Sequence, residues 1–358
     1  MRKIEVRKIG SVTRRLGLSS PVTTQDTIAA QAGTVVAARL LNDKAGYNTL
    51  EDVHGRMVRL NRGDVIVGAL GGRAALHGYA GRVPESVKPG SRLALLNLGG
   101  VIGACDSWHP SVGPPFEVEI LGQVVLFPHF RHREGVPADL ASGALPDTSG
   151  APGAPLIYVA GTSMDSGKTS FACALIRDLS DRGLRVGGVK TTGVSLLRDT
   201  LAMRDHGAVL TLDFTDAGYP ATGPGTATRA ARRILGALAC ERLDVIVVET
   251  GDGILGQYGV QEILDDTELR GWGAAFVFCA QDPVGAQGGI RLLAERWSIT
   301  VALVSGPVTD NAVGKTFIEA SLGIPALNAF DDPGLIHEKV GRALRGCLES
   351  RSAIREQP

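Results

Sequence analysis

At about 150 residues per domain, a chain of 358 residues leaves room for two domains. Hydrophobic residues make up 44% and charged residues 21%, which excludes bulk disorder and allows a sizeable core. The 37 basic and 37 acidic residues cancel, so the basic excess of a general nucleic-acid or membrane-surface binder is missing and neither partner is expected.

The first residues, MRKIEVRKIG, are charged and lack a following apolar stretch, and what comes after Arg14-Arg15 is too polar for a twin-arginine signal. No apolar run approaches the roughly 18 residues needed to span a bilayer. The β-type runs 34–41, 56–60, 64–70, 91–98 and 116–127 alternate with Gly, Asn, Asp and Pro turns, the grammar of a small all-β barrel or sandwich. Glycines at 68, 71, 72, 78 and 81 form no G-x-G-x-x-G and suit turns and bulges. Arg73, His77, Asp106 and His109 carry chemistry, but their placement suits ordinary surface or turn roles. Cys105, Cys173, Cys240, Cys279 and Cys347 lie far apart with no C-x-x-C, and the histidines are scattered. Buried free thiols in a reducing cytoplasm are therefore expected, with no disulfide framework and no zinc site.

Gly, Ala, Pro, Ser and Asp dominate 131–155, which reads as a linker between a β-rich domain at 1–130 and a second domain at 156–358. Beyond it, apolar runs at 156–161, 185–190, 244–249, 274–280 and 300–306 alternate with helical stretches at 167–183, 228–243 and 288–297. Apolar strands with helices between them predict an α/β domain whose mostly parallel sheet is covered on both faces, with its site at the carboxyl ends of the strands.

The strongest local signal is GTSMDSGKTS at 161–170, between a buried strand and a helix. Binding a triphosphate takes inward-turned backbone N–H groups, a helix N-terminus, a lysine for the β/γ-oxygens and a hydroxyl for Mg²⁺. Gly167, Lys168 and Thr169 stand where these are required, although Thr162 occupies the place of the usual first glycine. Gly161, Thr162, Ser163, Asp165, Ser166, Gly167, Lys168, Thr169 and Ser170 form the expected nucleotide-binding set, with ATP or GTP and Mg²⁺ as cofactors.

GTSMDSGKT resembles the G-T-D-x-x-x-G-K-T loop of dethiobiotin synthetase and related P-loop ATPases. GGVKTTG (187–193), RDTLAM (198–203) and VIVVETGDG (245–253) are similar to that family's later segments. The whole C-terminal half also resembles P-loop proteins described as molybdopterin-cofactor assembly proteins of the MobB type, a relative of which is a D-glutamate N-acetyltransferase. The resemblance implies that Lys168 binds the β/γ-phosphates. It places Thr169, Asp199 and Glu249 around Mg²⁺, and Lys190 facing the substrate or the transferred phosphoryl group. Asp205 and Asp213 compete with Asp199. Ser163 replaces the family's loop aspartate, Thr191-Thr192-Gly193 replaces its Pro-x-x-Ser, and Ser305-Gly306-Pro307, with Asp310-Asn311 beyond, stands where an Asn-Asp pair reads adenine. The base is therefore open between ATP and GTP.

The expected activity is that of a Mg-dependent ligase or synthase that activates a small carboxylate-type substrate by phosphoryl transfer. A nucleotide-gated cofactor-assembly accessory protein and an N-acyltransferase using acyl-CoA on a D-amino acid are the alternatives. A homodimer is expected.

Overall fold

The computed structural model describes residues 1–128, 134–148 and 150–342, and they fall into two compact units. The first holds the described residues of Met1–Leu145 together with Val194–Arg198 and Phe214–Thr222; the second holds Pro146–Gly193, Asp199–Asp213 and the described residues from Gly223 onward.

In the first unit, Phe116–Leu126 pairs with Val35–Leu40, which pairs with Val65–Leu70. Val65–Leu70 runs parallel to Val101–Trp108, and Arg92–Leu95 joins Val101–Trp108 back to Phe116–Leu126. These pairings close a ring, so the β-rich unit is a barrel. Successive side chains point to opposite faces of a strand. Val36, Ala38, Leu40, Ile66, Ile102, Phe116, Val118 and Ile120 form one buried cluster. Their neighbours Val35, Ala37, Val67, Ala69 and Val101 are buried in another, under Val12, Val22, Ala138 and Leu140. Burial on both faces explains why these strands read as unbroken apolar runs.

Part of the segment read as a linker belongs to this cover. Val136–Pro137 pairs with Phe116–Leu126, Ala138 and Leu140 are buried, and Leu140–Gly143 is a 3-10 helix. Composition concealed this because only two apolar side chains do the docking. Residues 131–133 and 149 lie outside the described residues. Limited proteolysis is expected to cut first at the exposed, irregular 146–148 and to spare 136–143; early cleavage inside 136–143 would contradict this packing.

The segments Val194–Arg198 and Phe214–Thr222 join the first unit through polar contacts. Asn97 Nδ2 donates to Ser195 O at 2.5 Å, and Ser195 N to Pro220 O at 2.9 Å. The buried Glu51 carboxylate accepts the N–H groups of Leu197 (2.6 Å) and Arg198 (2.9 Å). Arg14 of the arginine pair lies 2.9 Å from Asp216 in a largely buried ion pair. Arg73 is buried and donates to Tyr47 Oη at 2.8 Å, the His77 and His109 rings stack at 5.1 Å, and Asp106 pairs with Arg82.

The second unit is built on six strands: β1 Leu156–Gly161, β2 Val186–Lys190, β3 Leu210–Asp213, β4 Val245–Glu249, β5 Gly273–Cys279 and β6 Leu303–Ser305. Their order is β3-β2-β4-β1-β5-β6, with every pairing parallel. Helix α1, Lys168–Asp181, follows β1 and lays Phe171, Leu175, Ile176 and Leu179 on Ile157, Val159, Val245 and Val247. The alternate residues Tyr158, Ile246, Val248 and Phe278 are also buried, as a sheet covered on both faces requires. No helix among the described residues is long and apolar enough to cross a membrane.

Cys173 and Cys279 are buried free thiols, Cys240 is exposed, Cys105 is intermediate, and Cys347 lies outside the described residues. Burial pushes both buried thiols up to about 12. Thiol titration of the native protein at neutral pH should therefore modify Cys240 early and reach Cys173 and Cys279 only on unfolding. Fast reaction of either in the native state would contradict the burial.

Candidate functional site

Strand β1 ends at Gly161, where the chain is so closely surrounded that a Cβ would sit 2.7 Å from Cys279 O and collide with Ser166 Oγ. Thr162 continues the strand exit, its N–H donating to Cys279 O at 2.9 Å. It is not among the positive-φ residues, so the glycine of the usual pattern is not needed there. The turn comes later, at Asp165 (φ +58°) and Gly167 (φ +84°), and these left-handed residues aim the loop into the first turn of α1. Gln281 Nε2 donates to Asp165 O at 2.8 Å. Gly306, just after β6, packs its backbone against Ser166 and Gly167 so tightly that no Cβ fits at that position. Gln281 was not singled out from sequence, and Gly306 stood out only as part of Ser305-Gly306-Pro307, in place of an Asn-Asp pair, not as a support of this loop. A glycine closing an apolar strand was the available signal for the latter.

Lys168 curls back over the loop. Its ammonium donates to Ser163 O at 2.6 Å and Ser166 Oγ at 3.3 Å, and burial lowers its pKa, with Glu249 opposing the shift. Thr169 Oγ1 donates to Glu249 Oε1 at 2.8 Å. Glu249 ends β4 in register with Lys190 at the end of β2. Asp199 lies in the first turn of α2, Arg198–Asp205. The Lys190 ammonium pairs with Asp199 and lies 3.4 Å from Glu249 Oε1. Burial alone would push the Lys190 pKa down, but the Asp199 and Glu249 carboxylates outweigh it and raise the value above 10.5. The Asp199 carboxylate pairs with the Lys190 ammonium, and the buried Asp213 ends β3 in register with Lys190.

Glu249 is 1% exposed, and its Oε2 has no hydrogen-bond partner among the described residues. A buried carboxylate oxygen left this way is costly unless something else satisfies it. Among the described residues no three His, Cys, Asp or Glu side chains cluster as a metal site. Mg²⁺ does not require one, since it keeps several waters and takes one or two carboxylates. The Thr169 hydroxyl and the half-satisfied Glu249, with Asp199 at the shared Lys190 ammonium, fit such an ion.

The turn after β4 presses on the loop between β1 and α1. Ile254 N donates to Gly161 O at 2.9 Å, and a Cβ at Gly253 would collide with Thr162 O. Gly253→Ala is therefore expected to displace the loop backbone at a cost of about 1–3 kcal/mol, read by denaturant unfolding. Unchanged stability would show that the turn yields freely. Asp310 and Asn311 have structural work: Asp310 Oδ1 accepts from Asn328 Nδ2 at 2.8 Å, and Asn311 caps the helix Ala312–Leu322.

A cavity of about 810 Å³ opens at Thr169 and Ser170 and follows α1 past Cys173, Ala174 and Arg177, with Ala202, Phe330 and Ile336 opposite. Sequence reading missed it, because one face of a helix at this spacing reads equally well as packed interior.

Fold and site together place a strand, a glycine-turned loop and a helix at the carboxyl edge of an all-parallel sheet, with a hydroxyl–carboxylate pair beside the loop. No family model and no curated protein matches the sequence. Among solved structures, it is similar to the signal recognition particle 54 kDa protein from Aeropyrum pernix K1 in complex with GDP, at 20% identity and TM-score 0.38, over 57% of this chain and 50% of that one. A DUF1611 family protein from Anabaena variabilis aligns at 15% identity and TM-score 0.42, over 58% and 64% of the two chains. Chloroplast FtsY from Physcomitrella patens aligns at 12% identity and TM-score 0.34, over 51% and 59%. The chain thus spans half to just under two thirds of those proteins, and likeness at this level carries no functional argument.

Proposed function

We propose that the second unit binds a Mg²⁺–nucleoside triphosphate and transfers its γ-phosphoryl group to a small oxyanion, as an ATP-dependent ligase or synthase does. The observation that carries this reading is the convergence of the Thr169 hydroxyl and the half-satisfied Glu249 on one side of the glycine-turned loop, with Lys168 folded over it. Inward N–H groups of the loop and the start of α1 suit phosphate oxygens. Lys168 is held by neutral oxygens in the loop, so it can exchange them for β/γ-phosphate oxygens at little electrostatic cost. Thr169, Glu249 and Asp199 would hold Mg²⁺, whose chemistry is to neutralise charge on the phosphates.

Lys190 stays protonated, because its two carboxylates raise its pKa. It therefore acts as a fixed positive charge that guides an oxyanion, and not as a base. A lone pair of that oxyanion forms the bond to the γ-phosphorus while the bond from the γ-phosphorus to the bridging oxygen breaks, its electrons leaving on the β-phosphate oxygen of the nucleoside diphosphate. The cavity beside Thr169 and Ser170 supports this reading by giving room for the rest of a nucleotide. The resemblance to dethiobiotin synthetase supports the reaction type, while Thr191-Thr192-Gly193 argues for a different substrate.

The test is phosphate release from ATP and GTP with Mg²⁺, with and without a set of small carboxylates, using hydroxylamine to trap acyl phosphate. The reading expects one carboxylate to stimulate release and to yield the hydroxamate. Release indifferent to every metabolite would support a nucleotide-gated accessory protein. Binding of acyl-CoA in place of any triphosphate would support an acyltransferase.

A further inference from the structure

The cavity of about 810 Å³ beside Thr169 and Ser170 is larger than phosphates alone require, and it falls in the range of small-ligand sites. Its floor is one face of α1, where Ser170, Cys173, Ala174 and Arg177 recur at three- and four-residue spacing. Ala174 on this floor and Ala202 on α2 are small, which leaves the space open. Phe330 stands at the rim opposite. It is 86% exposed, more than any other large apolar side chain among the described residues. Its backbone is nevertheless tied down: Phe330 N donates to Asn328 Oδ1 at 2.9 Å, and Asp331 N to Asn328 O at 3.2 Å. The Asp331 carboxylate secures the same turn, accepting from Asn328 N at 2.8 Å and pairing with Lys315. An exposed phenyl on an anchored turn is a flat apolar face fixed beside the cavity.

The polar side chains that line this cavity are mostly engaged by the protein itself. Asp178 pairs with Arg182 and with His337 Nδ1, Asp331 is held as above, and His206 Nδ1 lies 2.8 Å from Ala202 O. Thr169 and Ser170 stand at the end nearest the loop between β1 and α1. That leaves Arg177 and Asp181, which are 71% and 72% exposed and approach each other only to 3.8 Å. Groups so open to water exchange one hydrogen-bond partner for another with little change in free energy. A site tells adenine from guanine when buried donors and acceptors meet the base edge and are left unpaired by the wrong base. No such set lines this cavity among the described residues. Stacking on an aromatic ring uses only the face of a base, which both purines present.

We propose that the base of the nucleotide lies in this cavity stacked on Phe330, with its edge unread, so that adenine and guanine nucleotides bind with nearly equal affinity. This rests on the phosphate-loop reading, which puts the triphosphate at the Thr169 end of the same cavity.

The experiment is isothermal titration of the full-length protein in Mg²⁺ buffer with ATP, with GTP and with tripolyphosphate, which has no base. ATP and GTP are expected to bind within about threefold of each other. Phe330→Ala should weaken both about tenfold and leave tripolyphosphate affinity as it was, while Phe330→Trp, which keeps a stacking face, should bind both nucleotides like the parent. The Phe330 side chain is exposed, and an unchanged melting temperature checks the fold of the variants. Nucleotide affinity unchanged in Phe330→Ala, an equal loss of tripolyphosphate affinity, a loss as large in Phe330→Trp, or a preference of more than about tenfold between ATP and GTP would each overturn the stacking proposal. Failure of ATP, GTP and tripolyphosphate alike to bind the parent would instead overturn the phosphate-loop reading, and this proposal with it.

Discussion

Replacing Lys168 with alanine is expected to lower triphosphate turnover by at least about 10²–10³-fold, the usual cost of removing one donor to developing charge. The fold should survive. The Lys168 ammonium is buried against Ser163 O and Ser166 Oγ, two neutral oxygens of its own loop. Removing it takes away a cation that burial already disfavours, as its lowered pKa records. Phosphate release measured beside a thermal melt separates the two effects. Normal turnover in the variant would remove Lys168 from the phosphate site, and a collapsed melt would make it a structural residue.

The second large effect concerns Lys190. Its ammonium is shared by Asp199 and Glu249, and the side chains of Lys190 and Asp199 are only 14% and 15% exposed. Lys190→Ala removes the cation that Asp199 and the buried Glu249 share. It is expected to lose about 3 kcal/mol of stability in metal-free buffer, as broken buried pairs do. Mg²⁺ should restore a larger share of stability to this variant than to the parent, because a competing cation has gone. The carboxylate-stimulated reaction should fall more than triphosphate binding does.

The sign of the pH dependence follows from the raised pKa. The charge on Lys190, and the stability it contributes, are fully present below 10.5 and are lost only as pH rises through the higher folded value. Lys190 should therefore contribute no inflection to a pH–rate profile between about 6 and 9. Denaturation curves of parent and variant, each with and without Mg²⁺, test the account. Identical curves would make Lys190 a solvated loop lysine.

Much of the second unit was legible because its strands are apolar and its helices separate them, which fixes a parallel sheet before any contact is known. The loop at 161–170 was legible for a different reason: glycine, lysine and threonine are demanded there by backbone direction and charge. The segments 194–198 and 214–222 were not legible. They join the barrel through Asn97, Glu51 and Arg14, polar side chains that leave no periodicity in the sequence. The same holds for 136–143, where Ala138 and Leu140 alone carry the docking. At the site, spacing suggested Asp199 but could not choose it over Asp205 or Asp213. That Asp199 meets Lys190 depends on where α2 begins relative to the end of β2, which only the folded chain shows. The pairing of Thr169 with Glu249 joins residues 80 positions apart and was reached by resemblance, not by pattern.

On the reading proposed above, Thr169, Glu249 and Lys168 form a Mg²⁺-dependent triphosphate site. Isothermal titration of the full-length protein with ATP and with GTP, each with Mg²⁺ and with EDTA, tests it most directly. The expected result is saturable binding of at least one triphosphate that weakens sharply in EDTA, and that loses its metal dependence in Glu249→Gln. Triphosphate binding that is indifferent to Mg²⁺ in the parent, or no triphosphate binding while acyl-CoA binds, would contradict it.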